Sequence, residues 1–551
     1  MPAEANGLLL PGEGSVVVRM YGQGVGDCFL LAFPRADGGE RPVYVLIDCG
    51  VIGGTPGGAE RMRAVVADIA AATGGRLDLL ILTHEHWDHL SGFDQASEQW
   101  DTIEIDALWL AWTESDDVDG LPGVLKRIVE KQQRSLALVA DRVERLGARD
   151  RESLALGLMG FLGDTPPPGL SFSLAKTVRA AFDAAKGRVD AGRRALLEPG
   201  EVRPLPGAGV DVYVLGPPRD DDRLRHVNPS RRDPETYEQD HGLRAREDAL
   251  LSLRRMADGP SPLSFFAAPL LAFDPALSAM DAADAAASPA LSQARDVYER
   301  SFPFDRFTRV PLPEAEATAT EQPGAYPALA SYVAGENHWR RIDFDWLSAA
   351  DAFALQADSL TNNTSLALAF ELPAGADGAR NVLLFPADAQ VGALLSWDEI
   401  PGWNVAPGAE PAQKGKPPDI GDLLQRTTFL KVGHHGSHNA TLKVKGVERL
   451  RQGPPLTAFV PVSPAVARQI KGWRHMPLDG MLNALAARSG NRVVLANGEV
   501  WPQVPASALD EARRNIGVET SAPVMLPEIV RSNGEVIQGA TPLWLQIRVG
   551  M

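Results

Sequence analysis

A run of apolar residues that ends in a cluster of histidines constrains the fold of this chain more than any other feature. The run is Leu77–Leu82, apolar except for Asp78, and the sequence Thr-His-Glu-His-Trp-Asp-His follows it at once. This succession predicts a buried strand that ends in a loop. Ten histidines occur in 551 residues, so three of them beside an aspartate within six positions fit a chance polar loop poorly. The loop is therefore a predicted metal site.

The spacing within this loop predicts two metal positions. Alternate residues of an extended chain point the same way, so His84 and His86 can bind one metal ion. Asp88 and His89 come next in the chain and can turn towards a second position beside the first.

The composition is ordinary for a soluble globular enzyme, with 44% hydrophobic and 23% charged residues. A chain of 551 residues can hold two or three domains, or one domain with long insertions. The net charge of −17 disfavours a general nucleic-acid-binding protein, because polyanion affinity depends on clustered Lys and Arg. A local basic groove stays compatible with this charge.

Two cysteines, Cys28 and Cys49, are too few for a disulfide scaffold, and we expect two buried free thiols in a reducing compartment. The segment Met1–Leu10 lacks a basic region followed by a long apolar stretch, so it does not resemble a signal peptide. Phe265–Phe273 is far too short to span a bilayer. These features predict a cytoplasmic protein.

The first part of the chain predicts an antiparallel meander, a helix and two further strands. In chain order these are the strands Ser15–Tyr21, Cys28–Phe33 and Val43–Asp48, the helix Ala59–Ala72, and the strands Leu77–Leu82 and Ile105–Trp112. Gly22–Asp27 is no dinucleotide-binding fingerprint, since it lacks the GxGxxG spacing and leads into a strand.

Two long insertions are predicted to interrupt the β-rich core. The first has helical periodicity, and the second is irregular, rich in Pro and Ala, and expected to be partly mobile. The predicted division is a first core part at 1–114, a helical insertion at 115–200, core strands at 201–218, a second insertion at 219–357 and a second core part at 358–551. The predicted helices of the first insertion are Leu121–Leu146, Leu154–Leu162 and Leu174–Ala185, and the second contains a linker-like stretch at Pro311–Pro323.

Regular β sequence resumes after the second insertion. The predicted strands of the remaining core are Glu201–Leu205, Val210–Leu215, Ser365–Leu372, Asn381–Phe385, Thr428–Val432, Ala458–Val462, Arg492–Leu495 and Leu543–Val549, and the predicted helices are Val391–Trp397 and Leu478–Ala487. Polar residues with catalytic chemistry follow several of these strands: Asp388, His434, His435, Ser437 and His475. We expect the strands around the insertions to form two facing sheets.

The HxHxDH pattern at residues 84–89 resembles the signature of the metallo-β-lactamase superfamily. That resemblance implies an α/β fold in which two β-sheets are sandwiched between helices. The sequence Gly433-His-His-Gly-Ser437 resembles the HHGS motif of the subgroup related to the soluble hydrolase domain of the DNA-uptake channel protein ComEC. Segments similar to that subgroup are also found at 22–27, at Asp48, at 362–365, at Asp388 and at 475–477. The resemblance leaves 115–200 and 219–357 unexplained, and the membrane channel of the namesake is missing.

The resemblance implies a role for each of these residues. His84 and His86 would bind the first metal, Asp88, His89 and His434 the second, and Asp388 would bridge the two. The expected cofactor is one or two Zn²⁺ ions, and Mn²⁺ would suit an oxygen-richer site. Many superfamily members have another His before the bridging Asp, but this chain has Asn362 and Asn363 there. The first metal site is therefore expected to be weaker or missing, as the subgroup itself tolerates.

Other interpretations of single residues stay open. Asp48 is either a turn residue or a neighbour of the metals, and Asp388 alone could cap a helix. His435 could support a metal ligand, while Ser437 either binds an anion or caps a turn. His475 either donates a proton or holds a phosphate during catalysis, or it ends a structural turn.

The function expected from this resemblance is metal-dependent hydrolysis by a metal-bound hydroxide, with Asp88 and His475 as catalytic candidates. The preferred substrate is a phosphodiester, in nucleic acid or a nucleotide, and one form of this hypothesis is a nuclease effector. The alternatives are a small-molecule esterase or lactonase, and a regulatory protein that keeps the fold and binds a protein partner through its insertions. The sequence predicts no membrane partner and leaves the oligomeric state open.

Overall fold

The computed structural model describes residues 7–127, 178–230, 233–237, 330–331, 360–376, 378–407, 410–411, 417–470, 473, 475–525, 529–530, 536–537 and 540–551. All of the elements below belong to the larger of two units, which comprises Met1–Arg134, Leu156–Glu238 and Gln356–Met551. The predicted helix Leu154–Leu162 and the Pro311–Pro323 stretch lie outside the described residues. Of the predicted helix Leu121–Leu146, residues 121–127 are described and are helical.

The strands and α-helices are numbered in chain order. The strands are β1 Ser15–Tyr21, β2 Phe29–Phe33, β3 Val43–Ile47, β4 Arg76–Leu77, β5 Leu79–Leu82, β6 Glu104–Ile105, β7 Leu108–Ala111, β8 Arg194–Leu197, β9 Glu201–Leu205, β10 Val210–Val214, β11 Leu368–Glu371, β12 Val382–Phe385, β13 Asn404–Val405, β14 Thr427–Lys431, β15 Thr457–Val460, β16 Val493–Leu495, β17 Val500–Trp501, β18 Val518–Thr520, β19 Pro523–Met525, β20 Ile529–Val530, β21 Val536–Ile537, β22 Ala540–Pro542 and β23 Trp544–Gly550. The helices are α1 Gly58–Thr73, α2 Trp87–Gln95, α3 Ser97–Trp100, α4 Val178–Gly187, α5 Asp221–Arg225, α6 Val391–Leu395, α7 Ile420–Gln425, α8 Asp479–Ser489 and α9 Ala506–Ile516. Among the described residues, no helix is both long and apolar enough to cross a membrane.

Within the described residues, two large sheets carry the fold. The first sheet has the strand order β18-β23-β1-β2-β3-β5-β7-β8, and the second has the order β13-β9-β10-β11-β12-β14-β15-β16-β17. The two sheets come mainly from the two sides of the chain, as expected. The exceptions are β18 and β23. Strand β23 pairs antiparallel with β1 from Ser15↔Gly550 to Tyr21↔Trp544 and so returns the C-terminal part of the chain to the first sheet.

The apolar side chains form three layers of core that define a four-layer sandwich. Alternate residues of β1 point to opposite faces, so Val16 and Val18 pack between the sheets while Val17 packs against helix α1. The outer face of the second sheet is covered by α6, α7 and α8. Because both faces of each sheet are buried, the central strands are almost wholly apolar. The predicted helix–sheet–sheet–helix sandwich is confirmed.

A chain of phenylalanines fills the space between the sheets. Phe385 of the second sheet contacts Phe29 of the first at a ring-centroid distance of 5.6 Å and an interplanar angle of 81°. It also lies 5.4 Å from Phe429, which in turn lies 5.3 Å from Phe459. Such pairs add about 0.5–1.5 kcal/mol each beyond the burial of apolar surface. These rings anchor β12 and β14, the strands that lead into the polar loops.

Strand boundaries differ from the prediction where a polar group intervenes. The predicted strand Leu77–Leu82 is interrupted at Asp78, whose carboxylate accepts hydrogen bonds from the backbone N–H of Tyr44 and from the side chains of Arg35 and Arg41. Helix α9 and strand β18 were not predicted. The prediction of two buried free cysteines, Cys28 and Cys49, is confirmed.

The topology brings several strand ends to one edge of the sandwich. In the first sheet β3 and β5 are parallel, and in the second β12, β14 and β15 are parallel. The loops that follow these strands carry Asp48, the histidine cluster, Asp388, the two adjacent histidines and Pro461. The carboxyl ends of parallel strands are the usual place for a ligand site in α/β proteins.

Candidate metal centre

The loop after β5 places four polar side chains close together. The chain bends at His84, and His84 Nε2 is 3.0 Å from His86 Nδ1. His86 has φ −124° and ψ 152° and is the N-cap of α2, so Asp88 and His89 fall in the first turn of that helix. A carboxylate in the first turn also interacts favourably with the helix dipole.

Asp48 orients His89. Its backbone has a φ of 56°, and its carboxylate accepts hydrogen bonds from the Thr83 backbone N–H at 2.9 Å and the Thr83 hydroxyl at 2.6 Å. Asp48 Oδ2 also lies 2.8 Å from His89 Nδ1. This contact fixes the imidazole so that Nε2 faces the centre, as carboxylates commonly do for metal-binding histidines. Asp48 is thus both a turn residue and a neighbour of the candidate site.

Four buried residues offer ligand atoms that lie within 4.8 Å of one another: Asp27, His89, Asp388 and His435. His89 Nε2 is 3.2 Å from Asp388 Oδ2, and His435 Nε2 is 3.3 Å from the same oxygen. Asp88 completes the group, with its Oδ2 2.8 Å from His435 Nε2. Nitrogen and carboxylate oxygen donors therefore converge on one small volume.

The turn after β14 points its two histidines to different neighbours. Both have left-handed backbone, with φ 44° at His434 and φ 53° at His435. His435 faces Asp88 and Asp388, and its Nδ1 lies 3.1 Å from the carbonyl oxygen of Pro461. His434 Nε2 lies 3.2 Å from the Asn362 amide nitrogen instead. The structure therefore brings His435, rather than the predicted His434, onto the carboxylates beside His89.

A buried lysine pairs with two carboxylates of the centre. The Lys431 ammonium lies 2.5 Å from Asp27 Oδ2 and 2.9 Å from Asp388 Oδ1, and it donates to the Ala387 carbonyl at 2.7 Å. The side chains of all three charged residues are at most 2% exposed. Because Lys431 binds Asp388 Oδ1, it leaves Oδ2 to face the histidines.

Burial and charge oppose each other at the central groups. Burial lowers the pKa of His435, but the carboxylates of Asp388, Asp88 and Asp27 together outweigh it and raise the pKa to about 10. The pKa of His89 is likewise raised well above its usual value by Asp388 and the other carboxylates, against the effect of burial. Burial raises the pKa of Asp388, yet Lys431, His435 and His89 together hold it well below its usual range. The negative charges of the carboxylates are thus balanced by the positive charges of Lys431, His89 and His435.

The other three histidines are neutral at pH 7. Burial lowers the pKa of His84 well below its usual value, and it lowers the pKa values of His86 and His434 to about 4. A neutral imidazole is the form that binds a metal ion. His84 and His86 are therefore ready to act as ligands without losing a proton.

The remaining predicted residues lie outside this cluster. Asn363 donates to the Leu224 carbonyl and accepts from the Gln390 backbone N–H, so it ties loops together behind the site. The Ser437 hydroxyl donates to Asn439 Oδ1 within its own turn. His475 is exposed, and no hydrogen bond or ion pair within the described part of the chain joins it to the centre.

The donor set suits a borderline metal ion such as Zn²⁺, which accepts both imidazole and carboxylate ligands. Asp27 Oδ1 is buried and accepts no hydrogen bond from the described residues. His435 Nδ1 lies 3.5 Å from it, too far for a good hydrogen bond, so a cation would stabilise this buried oxygen. These residues could therefore hold a metal ion, and the metal that would bind here is open between Zn²⁺ and Mn²⁺.

Comparison with known proteins supports the superfamily resemblance of the HxHxDH pattern. Residues 22–105 match the family model of the metallo-beta-lactamase superfamily. The match contains Asp27, Asp48 and the whole loop from His84 to His89, while Asp388 and the two adjacent histidines fall beyond it. No curated protein and no solved structure matches the chain. Residues 22–105 thus match a superfamily whose members are usually metal-dependent hydrolases.

Two residues of the centre were not among the predicted site residues. Asp27 follows a glycine-rich turn just before a strand, and Lys431 is the one charged residue in the apolar run Phe429–Val432. Charged residues are rarely buried unless they are paired, so a lysine in a central strand is a usable signal. The pairing of Asp27 with Lys431, however, joins residues that are far apart in the sequence, so spacing does not predict it.

Proposed function

We propose that the protein is a metal-dependent hydrolase that acts on phosphodiesters. The observation that carries this proposal is the single buried centre, in which neutral imidazoles lie beside ionised carboxylates. His84, His86 and Asp388 would hold one metal ion. Asp88, His89 and His435 would hold a second, with Asp388 shared between the two. A metal ion in such a centre supplies a Lewis acid and lowers the pKa of a water molecule so that it attacks near neutral pH.

The chain's own groups have separate tasks around the reacting atoms. The Asp88 side chain is 15% exposed, whereas those of His89 and Asp388 are 0% and 1% exposed. His434 is likewise partly exposed. The substrate therefore approaches from the side of Asp88 and His434. The ionised Asp88 carboxylate would orient the attacking water, and His434 would contact the group under attack.

The choice of a phosphodiester rests on the similarity of the turn at Gly433–Ser437 to the HHGS motif. The net charge of −17 favours a short phosphodiester or a strand held in a local groove over a long polyanion bound across the surface. A nuclease effector is the narrower form of the proposal.

The test combines elemental analysis of the purified chain with an activity screen. The substrates are bis(p-nitrophenyl) phosphate, dinucleotides, single- and double-stranded DNA, RNA, p-nitrophenyl acetate and a simple lactone. We expect at least one Zn²⁺ or Mn²⁺ per chain and hydrolysis of the phosphodiesters. Asp388→Asn and His86→Ala should each reduce turnover by several orders of magnitude, because each loses a metal ligand.

The matched control is Asp398→Asn. This aspartate pairs with Lys445 and Arg449 at the surface, so its loss should leave turnover unchanged. Circular dichroism and thermal melting of every variant separate loss of chemistry from loss of fold. A chain that takes up no metal on titration contradicts the hydrolase assignment, and cleavage of the lactone or the acetate ester alone contradicts the substrate class.

A further inference from the structure

A small cavity lies beside the glycine-rich loop Gly22–Asp27, and we call it the Arg61 cleft. It is lined by Gln23, Gly24, Thr55, Arg61, Ser463 and Thr541, among others. Its cavity volume is about 20 Å³, and it opens to solvent. None of these six residues is a candidate ligand of the metal centre.

Arg61 is the main feature of the cleft. The residue is 6% exposed, and its Nη2 donates a hydrogen bond to the Pro542 carbonyl. Its Nε and Nη1 are buried and have no hydrogen-bond partner among the described residues, and no carboxylate of the described chain pairs with it. Burial lowers its pKa to about 10, so the guanidinium stays charged at pH 7. A buried charge with unpaired donors is strongly unfavourable, so an anion in this cleft would stabilise it.

The N-terminus of α1 adds to the same preference. Helix α1 has 16 residues, begins at Gly58 and is preceded by Gly57 with φ 65° and ψ 16°, and no side chain caps its first turn. The first N–H groups of a helix and its dipole attract anions. Thr55 and Gly58 both line the cleft, which places this helix end at its wall.

Gln23 indicates which anion fits. It is 3% exposed, its Nε2 donates to the Gly26 carbonyl at 2.7 Å, and its Oε1 is buried without a partner among the described residues. The cleft therefore offers both unpaired donors and one unpaired acceptor. A phosphate group satisfies both, because its oxygens accept from Arg61 and, with a second pKa near 6, it retains a proton part of the time at neutral pH.

The cleft is close to the metal centre along two segments of chain. Gly24 precedes Asp27 by three residues, so their Cα atoms are at most about 11 Å apart. Ser463 follows Pro461 by two residues, and the carbonyl of Pro461 accepts from His435. The backbone N–H of Ser463 also bonds to the Gly24 carbonyl at 2.6 Å, which joins the two segments.

We propose that the Arg61 cleft binds a phosphate group, held by the Arg61 guanidinium, the N-terminus of α1 and Gln23. The phosphate comes either from free inorganic phosphate or from a terminal phosphate of the substrate.

The direct test is the melting temperature of the full chain in potassium phosphate and in potassium chloride at equal ionic strength and pH 7. At a phosphate concentration 100-fold above Kd we expect a rise of about 2–3 °C over chloride. Arg61→Met should abolish this rise while melting no lower than the wild type without phosphate, because it removes an unpaired buried charge. Arg61→Lys should keep part of the rise, and it serves as the second variant if the methionine variant does not fold.

The matched control is Arg63→Met, on the same helix. Among the described residues, this exposed arginine pairs with Glu60 alone, at 3.0 Å. It should retain the full rise. Sulfate, which carries no proton at pH 7, should raise the melting temperature less than phosphate. No saturable rise over chloride, a full rise in Arg61→Met, or a greater rise with sulfate than with phosphate each overturns the proposal.

The source of the phosphate is tested with thymidine dinucleotides that carry or lack a 5′-phosphate, and this arm rests on the proposed phosphodiesterase function. If the substrate's own phosphate occupies the cleft, the 5′-phosphate lowers KM about 10-fold in the wild type and in Arg63→Met, but not in Arg61→Met. If free phosphate occupies it, the two dinucleotides have equal KM values. Absence of turnover on both contradicts the phosphodiesterase function alone, since the melting experiment needs no catalysis.

Discussion

Replacing Lys431 by Met is the sharpest test of how the centre is held together without its metal. The substitution keeps the length of the side chain but removes the cation that lies within 2.9 Å of both Asp27 and Asp388. Both carboxylates stay buried, and removing one partner of a buried ion pair costs about 3–5 kcal/mol. We therefore expect the free energy of unfolding of the metal-free protein to fall by about this amount at pH 7.

The assay is urea denaturation of metal-free wild type and Lys431→Met, with Lys445→Met as control. Lys445 is exposed and forms a surface ion pair with Asp398 at 3.3 Å, so its loss should change stability by less than about 1 kcal/mol. Lys431 holds the pKa of Asp388 low, so the stabilisation that it provides is present above the unfolded pKa near 4 and declines as the pH falls below it. A Lys431→Met protein within about 1 kcal/mol of the wild type at pH 7 would refute the reasoning.

Three further predictions concern two residues of the centre and the exposed His475. Asp48→Asn removes the charged acceptor from His89 and should weaken metal binding about 10- to 100-fold with little change in circular dichroism. An unchanged Kd in a metal titration would show that Asp48 does not position the ring. The pKa of His435 is raised to about 10 without metal, so metal binding at pH 7 should release protons, and metal affinity should increase as the pH rises. Calorimetry in buffers of different ionisation enthalpy measures the number of protons released, and a binding enthalpy that does not depend on the buffer would contradict the prediction. His475→Ala should leave metal content and turnover close to wild type because the ring is exposed, and a fall of about 100-fold in turnover with normal metal content would instead give it an acid–base role.

The parts of the site that could be predicted from the sequence are those that depend on neighbours in the chain. The closeness of His84 to His86, two positions apart, is expected from residue spacing, and Asp88 and His89 follow in the first turn of a helix. The strands Ser15–Tyr21 and Glu201–Leu205 were predicted to the residue, because apolar runs between turn residues mark strands well.

The parts that could not be predicted depend on backbone angles or on distant partners. Whether His434 or His435 faces Asp388 is decided by two consecutive residues with left-handed backbone, a conformation that spacing does not encode. The break at Asp78 depends on Arg35 and Arg41, which lie 43 and 37 residues away. The pairing of Lys431 with Asp27 joins the two sheets and appears only when the whole sandwich is formed.

The return of β23 to the first sheet has a consequence for how the protein is made. Strand β1 lies between β2 and β23, and Arg19 bonds to Gln546, a residue 527 positions later. Until β23 has been synthesised, β1 therefore has an unpaired edge, which is prone to pairing with other chains. The nascent chain also presents Asp27 and the histidines of the first half long before Lys431 and Asp388 emerge. Because contacts this distant form slowly, we expect the centre to be assembled only after translation has delivered its second half.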